Sequence, residues 1–300
     1  MVRVGRSPTC RVCGSDRAAL VSAAVSGAPE SKVYRCGECD LVYLFPIMTE
    51  EQEQAFYSSQ FERYMEGRAG AGWQSPEAHF RAYQEEGERR LPLVRSYLQP
   101  EDSVLEIGSS TGFFLDDLRG YVREVTGVEP SEEYRRFAMA RGIETVASLE
   151  ELAARRFDGI FLYYVVEHLR DPVRHLARLR DFLNPGGRVF IEVPNVDDAL
   201  VSLYAVPAFG PFYWQKAHYQ NFSHRTLHNV LERAGYHAEL IPAQRYDLSN
   251  HMVWMLEGKP GGLGRWRHIF GVETTTAYAE ALKKHWLCDT IYAVAKVNHA

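Results

Sequence analysis

An α/β fold, a mostly parallel sheet with helices on both faces plus a small N-terminal appendage, is predicted by two features of this 300-residue sequence. From Ser103 onward short apolar runs alternate with amphipathic stretches, and crossover helices at that spacing force neighbouring strands to run parallel. Ahead of that region, four of the five cysteines lie between positions 10 and 39 as two C-x2-C pairs, the signature of a small segment stapled by a metal. A chain that is 46% hydrophobic and 24% charged is long enough to bury one large core and carry such an appendage.

Charge and composition narrow the partners. The net charge is −5, and the first fifty residues hold six Lys/Arg against five Asp/Glu, so no long-range attraction for a phosphate backbone is expected. Nucleic acid is therefore not an expected partner. The opening "MVRVGRSPTC" lacks the apolar run of a signal peptide, and no stretch approaches the ~20 apolar residues that span a bilayer, so a cytoplasmic protein without membrane attachment is expected.

Taken in order, the first element is "CRVC" (Cys10, Cys13) with "CGEC" (Cys36, Cys39). Two tight knuckles supply four thiolates to a tetrahedral Zn2+ without straining the chain between them, and a closed four-cysteine shell is structural. Two disulfides are the alternative, disfavoured in a reducing compartment. Cys288 stands apart and reads as a small half-buried apolar residue. Next, "QAFYSSQFERYMEGRAGAGWQSP" has little sustained period and reads as a linker, and a helical pattern then runs over 76–97 until Pro100 stops it.

The alternating region reads as strand "SVLEIG" and a helix over 112–119, strand "EVTGVE" and a helix from Ser131 to about 142, strand "IETVAS" and "LEELAARR", strand "FDGIFLYYV" and "DPVRHLARLRDFL", then strand "GGRVFIEVP". Ligands of such sheets bind beyond the carboxyl ends of the strands. The first of those ends is "VLEIGSSTGFF". It is neither G-x-G-x-x-G nor G-x-x-x-x-G-K-[ST], so a pyrophosphate or a triphosphate is not its ligand. Instead Glu106 stands at the strand end, and Glu129 ends the next strand 23 residues on, where a carboxylate can accept from both ribose hydroxyls. A nucleoside without phosphate and with a positive tail satisfies both acids, which is the description of S-adenosylmethionine.

Together "VLEIGSSTGFF", "GVEPS", "FDGIFLYYVVEHLRDP" and "LNPGGRVFIEVPN" resemble the class I S-adenosylmethionine-dependent methyltransferases over about residues 92–296. The four-cysteine ribbon is similar to that preceding sugar and natural-product methyltransferases. The resemblance implies a Rossmann-like seven-stranded sheet of order 3-2-1-4-5-7-6, closed by an antiparallel hairpin ending in "DTIYAVAKV", with a helix near 275–285 before it. It divides the chain into a zinc ribbon (1–50), a linker and helical lid (51–91), and a catalytic domain (92–300) with an acceptor-site insertion at about 197–225. By matching position, Glu106 and the loop Gly108, Ser109, Ser110, Gly112 and Phe113 face the methionine end of the cofactor. Glu129 holds the ribose, Pro130 and Ser131 flank it, Ser148 and Leu149 border the adenine, and Tyr163 and Tyr164 border the sulfonium. Ser110 departs from the commoner glycine, which costs the loop conformational freedom.

On the acceptor side, His218 is the expected base, because it precedes the N-cap Ser223 rather than lying on an amphipathic face. His168, in "VVEHLRDP", is a second candidate base, although Glu167 and His168 also suit a purely local role in shaping the loop. Tyr204, Phe209, Phe212, Tyr213 and Trp214 form either a water-excluding wall or the core of a lid. His224 and His228, at i and i+4 with no companion glutamate, read as exposed helix residues. The expected acceptor is a small molecule, a sugar nucleotide or natural-product intermediate. The rival readings are an RNA methyltransferase gripping its substrate with the ribbon, opposed by the charge and by the absence of an N-P-P-Y motif, and a non-catalytic cofactor-binding protein. The sequence does not address oligomeric state.

Overall fold

Short, mostly apolar runs of two to twelve residues become the strands of the computed structural model, which describes residues 8–298. They are β1 Ala18–Ser22, β2 Lys32–Cys36, β3 Val42–Phe45, β4 Ser103–Ile107, β5 Glu124–Val128, β6 Glu144–Val146, β7 Phe157–Tyr163, β8 Leu183–Pro194, β9 Gln220–Asn221, β10 Tyr236–Ala243 and β11 Thr290–Val297. Seven of them form one sheet in the order β10-β11-β8-β7-β4-β5-β6. Counting from β4 and omitting β9, that is 3-2-1-4-5-7-6 read from the other edge, the order the resemblance implies. The pairs β4–β5, β4–β7 and β5–β6 are parallel.

The chain clusters into two compact units. The first comprises Met48–Tyr163, Arg178–Phe190 and the residues from Ala295. Every residue of β4 is buried, as expected of a strand covered on both faces. The stretch read as a linker is helical, Glu50–Ser59 followed by Phe61–Ala69. Neither helix is strongly amphipathic, so sequence period gave no sign of them. Thr49 and Gln52 close a capping box at the first, and the rings of Phe56, Phe61 and Trp73 pack edge to face at 5.6–5.7 Å. The helix Pro76–Val94 follows, with Ser75 as N-cap accepting the Ala78 N–H.

The second unit comprises the chain up to Ile47, Tyr164–Ala177 and Ile191–Val294. Its N-terminal part is a four-stranded sheet, β1-β2-β3-β9, with all three pairings antiparallel. The fourth strand comes from far along the chain: Val42 pairs with Asn221 and Tyr43 with Gln220. Ser223 caps the helix His224–Arg233 through the Thr226 N–H, and Gly235 (φ 87°) releases the chain into β10. The last helix begins earlier than its sequence pattern suggests, at Arg267, and breaks at Gly271 before continuing to Lys284. Among the described residues no helix is long and apolar enough to cross a membrane.

Candidate functional site

In the first unit the ends of β4 and β5 bring the predicted cofactor residues together. The loop after β4 turns through three left-handed residues, Gly108 (φ 73°), Ser110 (φ 51°) and Gly112 (φ 75°). Left-handed backbone costs a serine roughly 1–2 kcal/mol. The geometry shows the offset: the Ser110 N–H donates to Glu129 Oε2 at 2.8 Å, and the Ser131 N–H donates to Glu129 Oε1 at 2.7 Å. Ser131 stands at the helix N-cap as predicted, but its side chain makes no capping bond. Close packing explains Gly127 on β5, where a Cβ would lie 2.4 Å from Ser109 Oγ. Leu149 is buried and Ser148 partly so, on the loop after β6, and the Glu129 N–H donates to Val146 O at 2.9 Å, linking that strand end to Glu129. Pro130 is exposed.

Electrostatics mark Glu106. It is 3% exposed, and its Oε2 has no hydrogen-bond partner. Burial first, and repulsion from Glu129 second, push its carboxyl up to about 8 against the opposing pull of Arg90. Burial likewise lifts Glu129 to about 7. Ser109 Oγ is buried without a partner as well. Unsatisfied buried oxygens at a loop of this kind are groups a polar ligand would satisfy, and two acids with no lysine suit a cationic nucleoside.

Two residues that sequence reasoning missed complete this part. His79 is 2% exposed; its Nδ1 lies 3.1 Å from Thr111 Oγ1, its ring stacks on Tyr83 at 4.3 Å, and Trp73 meets it at 4.4 Å. Burial drives its pKa down to about 3, so the ring is neutral. Phe113 is buried in the same group, 5.9 Å from His79. Arg90 is 4% exposed, with its guanidinium 4.3 Å over the ring of Tyr163, which is itself buried. The available signal was two polar residues, 79 and 90, in the same helical stripe as Phe80, Gly87 and Val94, all buried.

The second unit holds the acceptor-side candidates. Tyr164 adopts φ 58°, and its hydroxyl accepts from Arg245 Nη1 at 2.7 Å and meets Thr290 Oγ1 at 3.1 Å. Glu167 is 1% exposed with neither carboxylate oxygen hydrogen-bonded; burial and, secondarily, Glu192 push it up to about 8. His168 Nδ1 donates to the Ala217 carbonyl at 2.8 Å, and burial lowers its pKa to about 4. The His218 ring lies 5.0 Å from that of His168, with the Gln215 amide 2.9 Å from its Nε2. Tyr213 OH is buried and unpartnered, and burial followed by Asp198 and Glu167 raises its pKa well above the usual range.

Of the aromatic segment, Phe209 and Phe212 each pack 4.9 Å from Trp254, a local core, whereas Tyr213 carries a polar end toward the acids. Tyr204 hydrogen-bonds Tyr278 at 2.9 Å. His224 stacks on Trp286 at 4.4 Å and is half-buried, a correction to its exposed reading, and His228 is half-exposed beside Glu232. Cys288 is fully buried, its thiol donating to Thr290 O.

The four N-terminal cysteines converge. All are free thiols, with Cys10 Sγ 3.6 Å from Cys39 Sγ and Cys13 Sγ 3.5 Å from Cys36 Sγ. Sulfurs around a tetrahedral zinc stand about 3.8 Å apart, so the donor set fits that ion and is too open for disulfides. The Glu38 N–H points at Cys36 Sγ, 3.4 Å away, as a knuckle requires.

A family model described as "Methyltransferase domain" matches residues 77–240. The ubiquinone biosynthesis O-methyltransferase of Xanthomonas axonopodis pv. citri (strain 306) is 28% identical over 130 residues, 40% of this chain and 54% of that protein. The tRNA U34 carboxymethyltransferase of Campylobacter curvus (strain 525.92) is 29% identical over 105 residues, 32% of this chain and 35% of that protein. The alignments thus span about half or less of these relatives. Among solved structures, the plantazolicin methyltransferase BamL, in complex with a triazolic desmethylPZN analog and SAH, superposes with a TM-score of 0.51 at 12% identity, covering 84% of this chain and all of BamL, a likeness of fold. With more than half of its length matched by the family model, and with the sheet order and paired strand-end acids in place, the chain belongs to the methyltransferase-domain family.

Proposed function

We propose that this protein is an S-adenosylmethionine-dependent methyltransferase that acts on a small molecule and holds a structural Zn2+ on Cys10, Cys13, Cys36 and Cys39. The observation that carries this reading is the pair Glu106 and Glu129 at adjacent strand ends, one with an unsatisfied buried oxygen and the other fixing the intervening loop through its carboxylate. When bound, S-adenosylmethionine supplies a methyl group already activated on a sulfonium.

The residues of the chain then do the rest. Glu129 accepts from the ribose hydroxyls with the lone pairs its backbone partners leave open. Glu106 and the loop Gly108–Ser109–Ser110–Thr111–Gly112 hold the methionine end, with Phe113, Tyr163 and Arg90 excluding water around it. Pro130, Ser131, Ser148 and Leu149 border the nucleoside. Tyr164, His168 and His218 belong to the acceptor side, where the two imidazoles are the candidate proton acceptors. Orientation in a dry site can contribute roughly 7–11 kcal/mol, and a base about 3–5 kcal/mol, so positioning is the larger effect.

The test is calorimetric titration with S-adenosylhomocysteine, followed by transfer of labelled methyl to hydroxylated small molecules. Absence of heat for that compound, with heat for NAD or ATP instead, overturns the proposal. A nucleic-acid acceptor is the second reading, favoured by the likeness to the tRNA carboxymethyltransferase and opposed by the net charge of −5. Labelling of total tRNA but of no small molecule would establish it.

A further inference from the structure

Among the described residues, two groups of metal-ligating side chains converge: the four cysteines, and Glu167, His168 and His218, whose ligand atoms lie within 4.8 Å of one another. We propose that this second group is a divalent-cation site. Three independent features support it.

The donors are of the right kind. Two imidazoles and one carboxylate suit a borderline divalent ion such as Zn2+, Co2+ or Mn2+ and leave coordination positions open. The supporting bond of His168 is that of a metal-bound histidine. His168 donates Nδ1–H to a backbone carbonyl at 2.8 Å, and its Nε2 lies 3.9 Å from Glu167 Oε1. The Gln215 amide nitrogen lies 2.9 Å from His218 Nε2; turned so that its oxygen accepts from Nε2–H, the same amide would leave Nδ1 as the ligand atom.

The third feature is an unmet demand. Glu167 is 1% exposed, and neither of its oxygens has a hydrogen-bond partner. Its neighbour Tyr213 ends in a buried hydroxyl that is equally unsatisfied. A carboxylate so placed pays a large desolvation cost that a bound cation removes. The donor atoms need to close by about 1 Å to reach the roughly 3–4 Å separations found around a bound ion, a movement within side-chain rotation. The open positions then suit an oxygen donor, which makes a hydroxyl- or carboxylate-bearing molecule the acceptor class. That last step rests on the methyltransferase reading, whereas the cation site stands on its own residues. On this assignment His168 and His218 act as ligands rather than free bases, and a bound ion would supply the Lewis acidity that lowers the pKa of a hydroxyl.

The experiment is a Co2+ titration of the zinc-loaded protein, followed by visible absorption and by metal analysis after gel filtration. The expected result is one cobalt per chain in addition to the ribbon zinc, with weak d–d bands and no thiolate charge-transfer band. Glu167→Gln and His218→Ala should each weaken that binding at least tenfold while the zinc content stays at one per chain. Should one variant fail to fold, the other decides. No cobalt binding, binding unchanged in the folded variants, or a thiolate charge-transfer band that tracks zinc loss would overturn the site. Titration with S-adenosylhomocysteine on the same samples separates the two proposals: cobalt binding without cofactor binding removes only the methyltransferase reading, and the reverse removes only the cation site.

Discussion

Glu129 receives the Ser110 N–H at 2.8 Å, so a carboxylate on one strand end fixes the left-handed serine on the loop after another. Glu129→Ala should therefore remove a ribose acceptor and loosen the loop together. Affinity for S-adenosylhomocysteine should fall about 100-fold, near 3 kcal/mol, while Glu129→Gln, which keeps one oxygen acceptor, should lose less. Calorimetry on both variants checks the order of the effects, and equal losses would contradict the carboxylate's double role.

His79 sits between Trp73, Tyr83 and Thr111. Truncation to alanine should cost about 2–4 kcal/mol of stability, seen as a lower urea midpoint. His79→Phe should regain most of that by stacking but lose the Thr111 bond. Its cofactor affinity should stay below wild type, which separates packing from loop anchoring.

Stability should be greatest at about pH 5 and decline from there toward pH 8, because three acids with raised pKa values outweigh two histidines with lowered ones. Glu106 and Glu167 (raised to about 8) and Glu129 (raised to about 7) bind more protons folded than unfolded between their ordinary 4.5 and those values. Stability therefore falls as pH rises through that window. His79 and His168, lowered to about 3 and 4 from 6.5, act in the opposite sense and erode stability as pH falls below 6.5. Melting curves between about pH 5 and 9 should show the decline, and S-adenosylmethionine, whose positive charge favours ionised Glu106, should flatten it.

Stripping the ribbon metal, by chelation or by Cys39→Ala, should unfold β1–β3, because four-cysteine sites in zinc-finger peptides contribute on the order of 10–16 kcal/mol. β9 pairs with β3 two residues after His218, so acceptor turnover should fall more than tenfold. Affinity for S-adenosylhomocysteine should stay within about twofold. Preserved turnover in zinc-free protein would show that the ribbon has no part in shaping the acceptor side.

His218→Ala should reduce kcat by about 100-fold or more with cofactor affinity nearly unchanged, whether the imidazole takes a proton or binds an ion. An equal loss of S-adenosylhomocysteine affinity would place His218 with the cofactor residues instead.

What the sequence disclosed follows from range. The parallel sheet rests on alternation of strands and helices and its order on the family resemblance, whereas the cysteine knuckles rest on local spacing and the Ser223 cap on the four residues from Ser223 to Thr226; the alternation, the knuckles and the cap are short-range patterns. The missed features are long-range or unpatterned. β9 is the polar dipeptide Gln220–Asn221, with no alternation to detect, and it exists because β3 offers it an edge. The helices at 50–69 depend on aromatic packing among Phe56, Phe61 and Trp73. His79 and Arg90 acquire meaning only once their helix lies against the loop after β4 and against Tyr163.

The β3–β9 pairing also bears on protein engineering. A shortened version beginning near residue 48 would strip the outer hydrogen-bonding edge from β9 and uncover Tyr43's former partner strand, a template for sticky self-association. Transplanting the first 47 residues onto another catalytic domain would fail for the mirror reason, unless the recipient brings its own dipeptide to finish the foreign sheet.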